Sequence, residues 1–124
     1  MPLPVHNRPG PTTPRIANLP PGRFVILKIK PATIVAAGGS HYAAASIEWR
    51  INPRKAANRS VLAVETGTGT ILEVFGNIQW RPSTGGRSKF TGIPDPSPSS
   101  RALVGKQIPA AFRGPHQSNP VRYA

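Results

Sequence analysis

SVLAVETGTGTILEVF, residues 60–75, decides the fold. Two runs rich in β-branched residues, 60–65 and 71–75, flank Thr66-Gly67-Thr68-Gly69-Thr70, a glycine-containing loop of hairpin length. A turn centred on Thr68 sets Val64 opposite Leu72 and Leu62 opposite Val74, which builds one apolar face. The reverse face carries Val61, Ala63, Glu65, Ile71, Glu73 and Phe75. That face is half apolar, which a wholly solvated face would not be, so Val61, Ile71 and Phe75 are expected to meet a partner.

Outward from the hairpin, Gly76-Asn77 reads as a bulge before Ile78-Gln79-Trp80. Upstream, residues 24–30 (FVILKIK) read as a strand with Val25, Leu27 and Ile29 inward and Lys28 and Lys30 in water. Residues 33–37 are expected to continue that strand past a bend at Pro31, closed by Gly38-Gly39. In 41–51, Ala43, Ala45, Ile47, Trp49 and Ile51 alternate with more polar neighbours, and this period of two predicts a further strand. Residues 53–59 (PRKAANR) form a basic loop or a single helical turn. Four or five strands without a long helix define an all-β class, a small β-sandwich or open barrel; jelly-roll-like and OB-like orders both fit.

Proline sets the expected boundaries. Of sixteen, seven fall within residues 1–22 and seven within 82–124, leaving Pro31 and Pro53 between. Proline lacks a backbone donor and resists helix interiors and central strands. The chain therefore divides into an extended arm (1–22), a β domain (23–82) and an extended C-terminal arm (83–124). At about 3.1 Å per residue the arms reach ~65 Å and ~130 Å, against a core with a radius of gyration of about 10 Å. A sixty-residue core is marginal, and no cysteine is present to staple it. Docking onto other molecules is the remaining support, with Phe90, Phe112 and Tyr123 as anchors in the tail.

Sixteen Lys and Arg face only Glu48, Glu65, Glu73 and Asp95, a formal charge of +12 spread over all three segments. Such an excess is relieved by a polyanion or an acidic neighbour. Arg50, Arg54, Lys55 and Arg59 form the best candidate contact for phosphates or an acidic partner, joined by Lys28 and Lys30 if their strand lies alongside. Trp49 suits the core, whereas Tyr42 and Phe75 are expected outward as stacking or interface residues.

Catalysis is not expected. Glu65 and Glu73 share a predicted face but read as surface acids, and one Asp set between prolines offers no Ser-His-Asp triad. The Thr-Gly loop lacks the Gly-Lys-Ser/Thr ending of a phosphate loop. His6, His41 and His116 share no ligand spacing, so neither metal nor cofactor is expected, and no small-molecule substrate. Lys28 and Lys30 break the best apolar run, which excludes a membrane span. The N-terminal prolines oppose the amphipathic helix of a transit peptide.

Two functions follow as expectations. The first is a structural protein of a viral or phage particle (a minor capsid, cement or decoration subunit) whose arms bridge neighbouring subunits, copies of itself included. It would reside in the virion. The alternative is a basic nucleic-acid-binding protein, ribosome-associated or coating single strands, in a cytoplasmic nucleoprotein complex.

Overall fold

The computed structural model describes residues 14–112 and 120–124. Its hairpin is where the sequence places it: β2 (Ser60–Glu65) pairs antiparallel with β3 (Ile71–Pro82), with Leu62 opposite Val74 as expected. A register shift between Ala63 and Val64 then brings Val64 opposite Ile71 rather than Leu72. In the loop Gly67 and Gly69 hold φ of +98° and +73°, a left-handed backbone that glycine adopts without strain. Thr68 Oγ1 donates to Glu65 Oε1 at 2.9 Å and fixes the turn.

β1 (Phe24–Ile29) lies parallel to β2, with Phe24 opposite Ser60 and Ile29 opposite Glu65. On its other side runs β5 (Val121–Tyr123), antiparallel. β4 (Ser88–Pro94) completes a five-stranded mixed open sheet of order β4-β3-β2-β1-β5. The fold is mostly β, with few and short helices. The described residues form this one sheet, with neither a second sheet packed on it nor its two edge strands paired to each other. Among them no helix is long and apolar enough to cross a membrane.

Parallel neighbours need a long crossover, and residues 30–59 provide it. Here two expected strands prove helical. Residues 33–36 belong to α1 (Pro31–Ala36), with Ala37 as its C-cap, and Pro31 occupies the first turn and starts the helix instead of bending a strand. The alternation in 41–51 yields to α2 (His41–Ala45), whose Ser40 Oγ accepts from Ala43 N at 3.1 Å. Adjacent Ala44 and Ala45 are both buried, which a strand facing one core could not achieve. Only Trp49 keeps strand pairing, exchanging two 2.8 Å bonds with Ser88. α3 (Pro53–Ala56) is the helical one of the two forms, basic loop or single turn, that the sequence allows for 53–59.

The sheet is covered on both faces. Val25, Leu27, Ile29, Val61, Ala63 and Phe75 pack against Ala44, Ala45, Trp49 and Ala56 of the crossover. On the opposite face Phe24, Ile26, Leu62, Val64, Ile71 and Val74 pack with Ile108, and Ile16, Leu19, Leu103 and Phe112 lie against them. The wet side expected for β1 is therefore a second core, because parallel central strands are buried on both faces.

This corrects the arms wherever they are described. The expected boundary at 83 falls inside the β3–β4 pairing, and the tail supplies β4, β5 and α4 (Pro98–Leu103). Residues 105–108 bond to the start of β3 and its loop: Gly105 N to Ile71 O, Ile71 N to Lys106 O, and Ile108 N to Gly69 O. From the N-terminal arm, Ile16 N donates to Gln107 O and Gln107 N to Pro14 O. The prolines explain the misreading. Pro31, Pro53 and Pro98 sit in first helical turns, and Pro82 and Pro94 end strands, where a missing N–H costs little. Residues 1–13 and 113–119 of the expected arms lie outside the described residues.

Asp95 anchors the tail. Its carboxylate accepts from Ser97 N and Ser100 Oγ, its carbonyl from Arg101 Nε, and Arg101 pairs with Glu73 on β3. The Ser97 and Ser100 donors hold Asp95 below the usual carboxylate pKa. Burial opposes ionisation of Glu73, but Arg101 and the Val74 N–H outweigh it and hold its pKa low as well. Carboxylates with depressed folded pKa values stabilise the fold above their unfolded values of about 4 and lose that effect as pH falls through the folded ones. The melting temperature should therefore drop below about pH 4, and less steeply in Arg101→Met. A melting temperature unchanged down to about pH 2 would contradict this arrangement.

Gly92 faces the bulge, where an added Cβ would stand 2.6 Å from Ile78 Cδ1 and 2.9 Å from Gly76 O. Gly92→Ala should cost about 1–3 kcal/mol in urea unfolding.

Candidate nucleic-acid interface

α3 starts on a tight N-cap and ends where Ala57 turns extended. Asn52 Oδ1 accepts from Arg54 N at 3.0 Å and Lys55 N at 3.3 Å, and Pro53 sets the first turn. The turn buries Ala56 and leaves Arg54 and Lys55 exposed. Asn58, at φ +61°, reverses the chain so that Arg59 comes back to the sheet.

There Arg59 is structural. Its Nη1 donates to Phe24 O at 3.3 Å and to the main-chain oxygen of Ala124 at 2.6 Å, tying β5 to the start of β1. Tyr123 Oη accepts from Asn52 N at 2.7 Å, and the Tyr123 ring lies 5.5 Å from Lys55 Nζ and 5.7 Å from Arg59 Cζ. These are cation–π distances. The end of β5 thus organises the basic turn.

Arg50 sits beside it, at a cavity of about 250 Å³ that it lines with Glu48, Trp49, Arg87, Pro120 and Val121. Arg87 immediately precedes β4 and Val121 opens β5, so the cavity is lined from the β3–β4 turn and from the other edge strand. Glu48 is the acid of this cavity, and the Ser83 and Thr84 hydroxyls donate to its carboxylate. The Ser83 bond in particular lowers its pKa and keeps it ionised. Trp49 is core, as expected, and its Nε1 donates to Ala45 O at 2.7 Å.

Of the predicted contact residues, the structure brings Arg50, Lys55 and Arg59 to β5, with Arg54 next to Lys55 on the exposed side of α3. It does not bring Lys28 and Lys30 to them. Lys28 shares its face of β1 with Ile26 and donates to Phe112 O at 2.7 Å on the opposite side of the sheet. Lys30 stands past the far end of β1, about 20 Å along the strand direction from Phe24. Arg122 lies on that second side too, 5.6 Å from the centre of the half-buried Phe112 ring.

The predicted interface residues divide likewise. Val61 and Ile71 are 0% exposed, Phe75 and Phe90 1%, all filled by this chain's own crossover and tail rather than by a partner. Tyr42 is 37% exposed and meets Phe75 and Phe90 edge-on at 5.7 and 5.9 Å. Glu65 and Glu73 make no carboxylate pair, Glu65 being held by Thr68 and Glu73 by Arg101. Arg87 and Lys89 escape the sequence reading because residues 82–100 look like tail, and Arg81 because it sits alone at the last rung before that stretch. Gly85-Gly86 between two basic runs was the usable hairpin signal.

Comparison with protein-family models finds no match to this chain, and none is found among curated proteins or solved structures.

These roles separate by substitution. Arg59→Met strands the oxygens it binds and should destabilise by about 1–3 kcal/mol. Exposed Arg54→Met should change stability by less than about 0.5 kcal/mol. Chemical unfolding of the two variants measures both.

Proposed function

We propose that the protein binds nucleic acid through the basic strip beside β5. The observation that carries this is that β5 meets cations from separate segments: Arg50 and Arg87 share a cavity with Val121, Lys55 lies over the Tyr123 ring, and exposed Arg54 neighbours Lys55 on the same turn. Arg59 and Tyr123 hold that turn in place. Sheet stability explains Arg59, but the exposed cations around it make no comparable bonds among the described residues. A net charge of +12 adds long-range attraction for a polyanion.

The bridging particle subunit draws less support. Its main premises were a half-apolar hairpin face awaiting a partner and tails unable to pack. The chain's own segments fill that face, and the described parts of both tails lie on the sheet.

Binding of a fluorescent oligonucleotide should weaken steeply with salt. About four phosphates neutralised on a single strand give a log–log slope near −3, and Arg54→Glu with Lys55→Glu should flatten it by about 1.5. Unaltered affinity and slope in that double variant would overturn the proposal.

A further inference from the structure

A second cleft, of about 400 Å³, opens between the α2 segment and the β3–β4 hairpin. Its walls include Tyr42, Phe90, Arg81 and Lys89, together with Ser46 and Thr91. The volume lies within the range of about 300–1,000 Å³ typical of small-molecule sites.

Two features of this cleft have no explanation in the fold. Arg81 and Lys89 stand directly opposite each other across the β3–β4 ladder, and like charges in that position destabilise a sheet. Glu48 reaches Lys89 electrostatically, but Ser83 and Thr84 already engage it. An anion between the two cations would turn repulsion into attraction. The second feature is aromatic. Tyr42 leaves part of its ring in solvent above the buried Phe75 and Phe90, and no described residue hydrogen-bonds its hydroxyl. Next to it in the cluster, Trp80, 5.4 Å from Phe90, has a buried indole N–H without an acceptor.

An exposed ring beside two cations matches a nucleotide: a flat base for the ring and a phosphate for the charges. Within a duplex the base is already stacked and paired, so the match is to an unpaired one. Position agrees. Lys89 in this cleft and Arg87 in the cavity beside Arg50 are two residues apart on extended backbone, about 7 Å. Successive phosphates of one strand span that distance.

We infer that this cleft takes an unpaired nucleotide of a single strand, its base on Tyr42 and its phosphate between Arg81 and Lys89. The inference rests on the nucleic-acid reading above and names the form of its ligand.

The test measures affinities for four probes by fluorescence anisotropy and competition: a thymidine decamer, an abasic decamer of equal charge, a ten-base-pair duplex and thymidine monophosphate. The thymidine decamer should bind about tenfold tighter than the abasic one, and tighter than the duplex. The monophosphate should be at least about a hundredfold weaker. Tyr42→Leu, checked for an unchanged melting profile, should erase the difference between the decamers while keeping the abasic affinity. Should Tyr42→Leu fail to fold, exposed Arg81→Gln with Lys89→Gln serves instead and should lower thymidine-decamer affinity about tenfold. Equal, salt-sensitive binding of both decamers would overturn the base cleft while leaving the phosphate strip standing. Preference for duplex, or monophosphate binding as tight as the decamer, would also overturn it. No binding of any probe would overturn the nucleic-acid reading itself.

Discussion

The parallel pairing of β1 with β2 is the constraint from which the rest of the molecule follows. It places two apolar strands side by side at the centre of the sheet and obliges both of their faces to be dry. One face is covered by the crossover that parallel pairing itself requires. The other has no such built-in cover, so it is closed by the tail and by residues 14–19. What looked like surplus chain is the second half of a core. The 124-residue chain thus buries far more than a sixty-residue centre could, without any cysteine.

The same constraint positions the charges. Because the crossover must return to the start of β2, its last turn arrives beside β5, and the turn's cations arrive with it. Arg59 spends its guanidinium on main-chain oxygens, which holds β5 on the sheet. Pairing of Trp49 with Ser88 then brings the β3–β4 turn to the crossover, so that Arg87 and Arg50 line one cavity. Cations distant in sequence come together through two ordinary structural needs, a crossover return and a backbone bridge to β4.

Local signals in the sequence were legible where side chains alternate around a glycine turn. The hairpin, the Leu62–Val74 pairing, the bulge at Gly76-Asn77, the basic helical turn and the buried Trp49 were all readable. The all-β class was readable at the level of a mostly β chain. Two things were not. Short alanine-rich stretches carry period-two and helical patterns at once, and Ser40 and Pro31 decide between them as helix starters. Proline content also says how a residue is built, not whether it packs, so density alone mistook strand ends and first helical turns for free arms. The candidate site was half legible for a related reason. Arg50, Arg54, Lys55 and Arg59 are neighbours in sequence, whereas Arg87 and Lys89 join them only through pairing between distant segments, which also carries Lys28 to the other face.

The three residues of β5 have a kinetic meaning. Val25 and Tyr123, partners across the sheet, are separated by roughly a hundred positions. During translation β1 emerges roughly a hundred residues before β5 and waits, one edge bare, until that stretch has followed. Closure across so long an interval is slow compared with forming the β2–β3 hairpin. Assembly should therefore begin at that hairpin and end at β5, and a stalled or prematurely terminated chain would leave an unprotected apolar edge open to pairing with its neighbours.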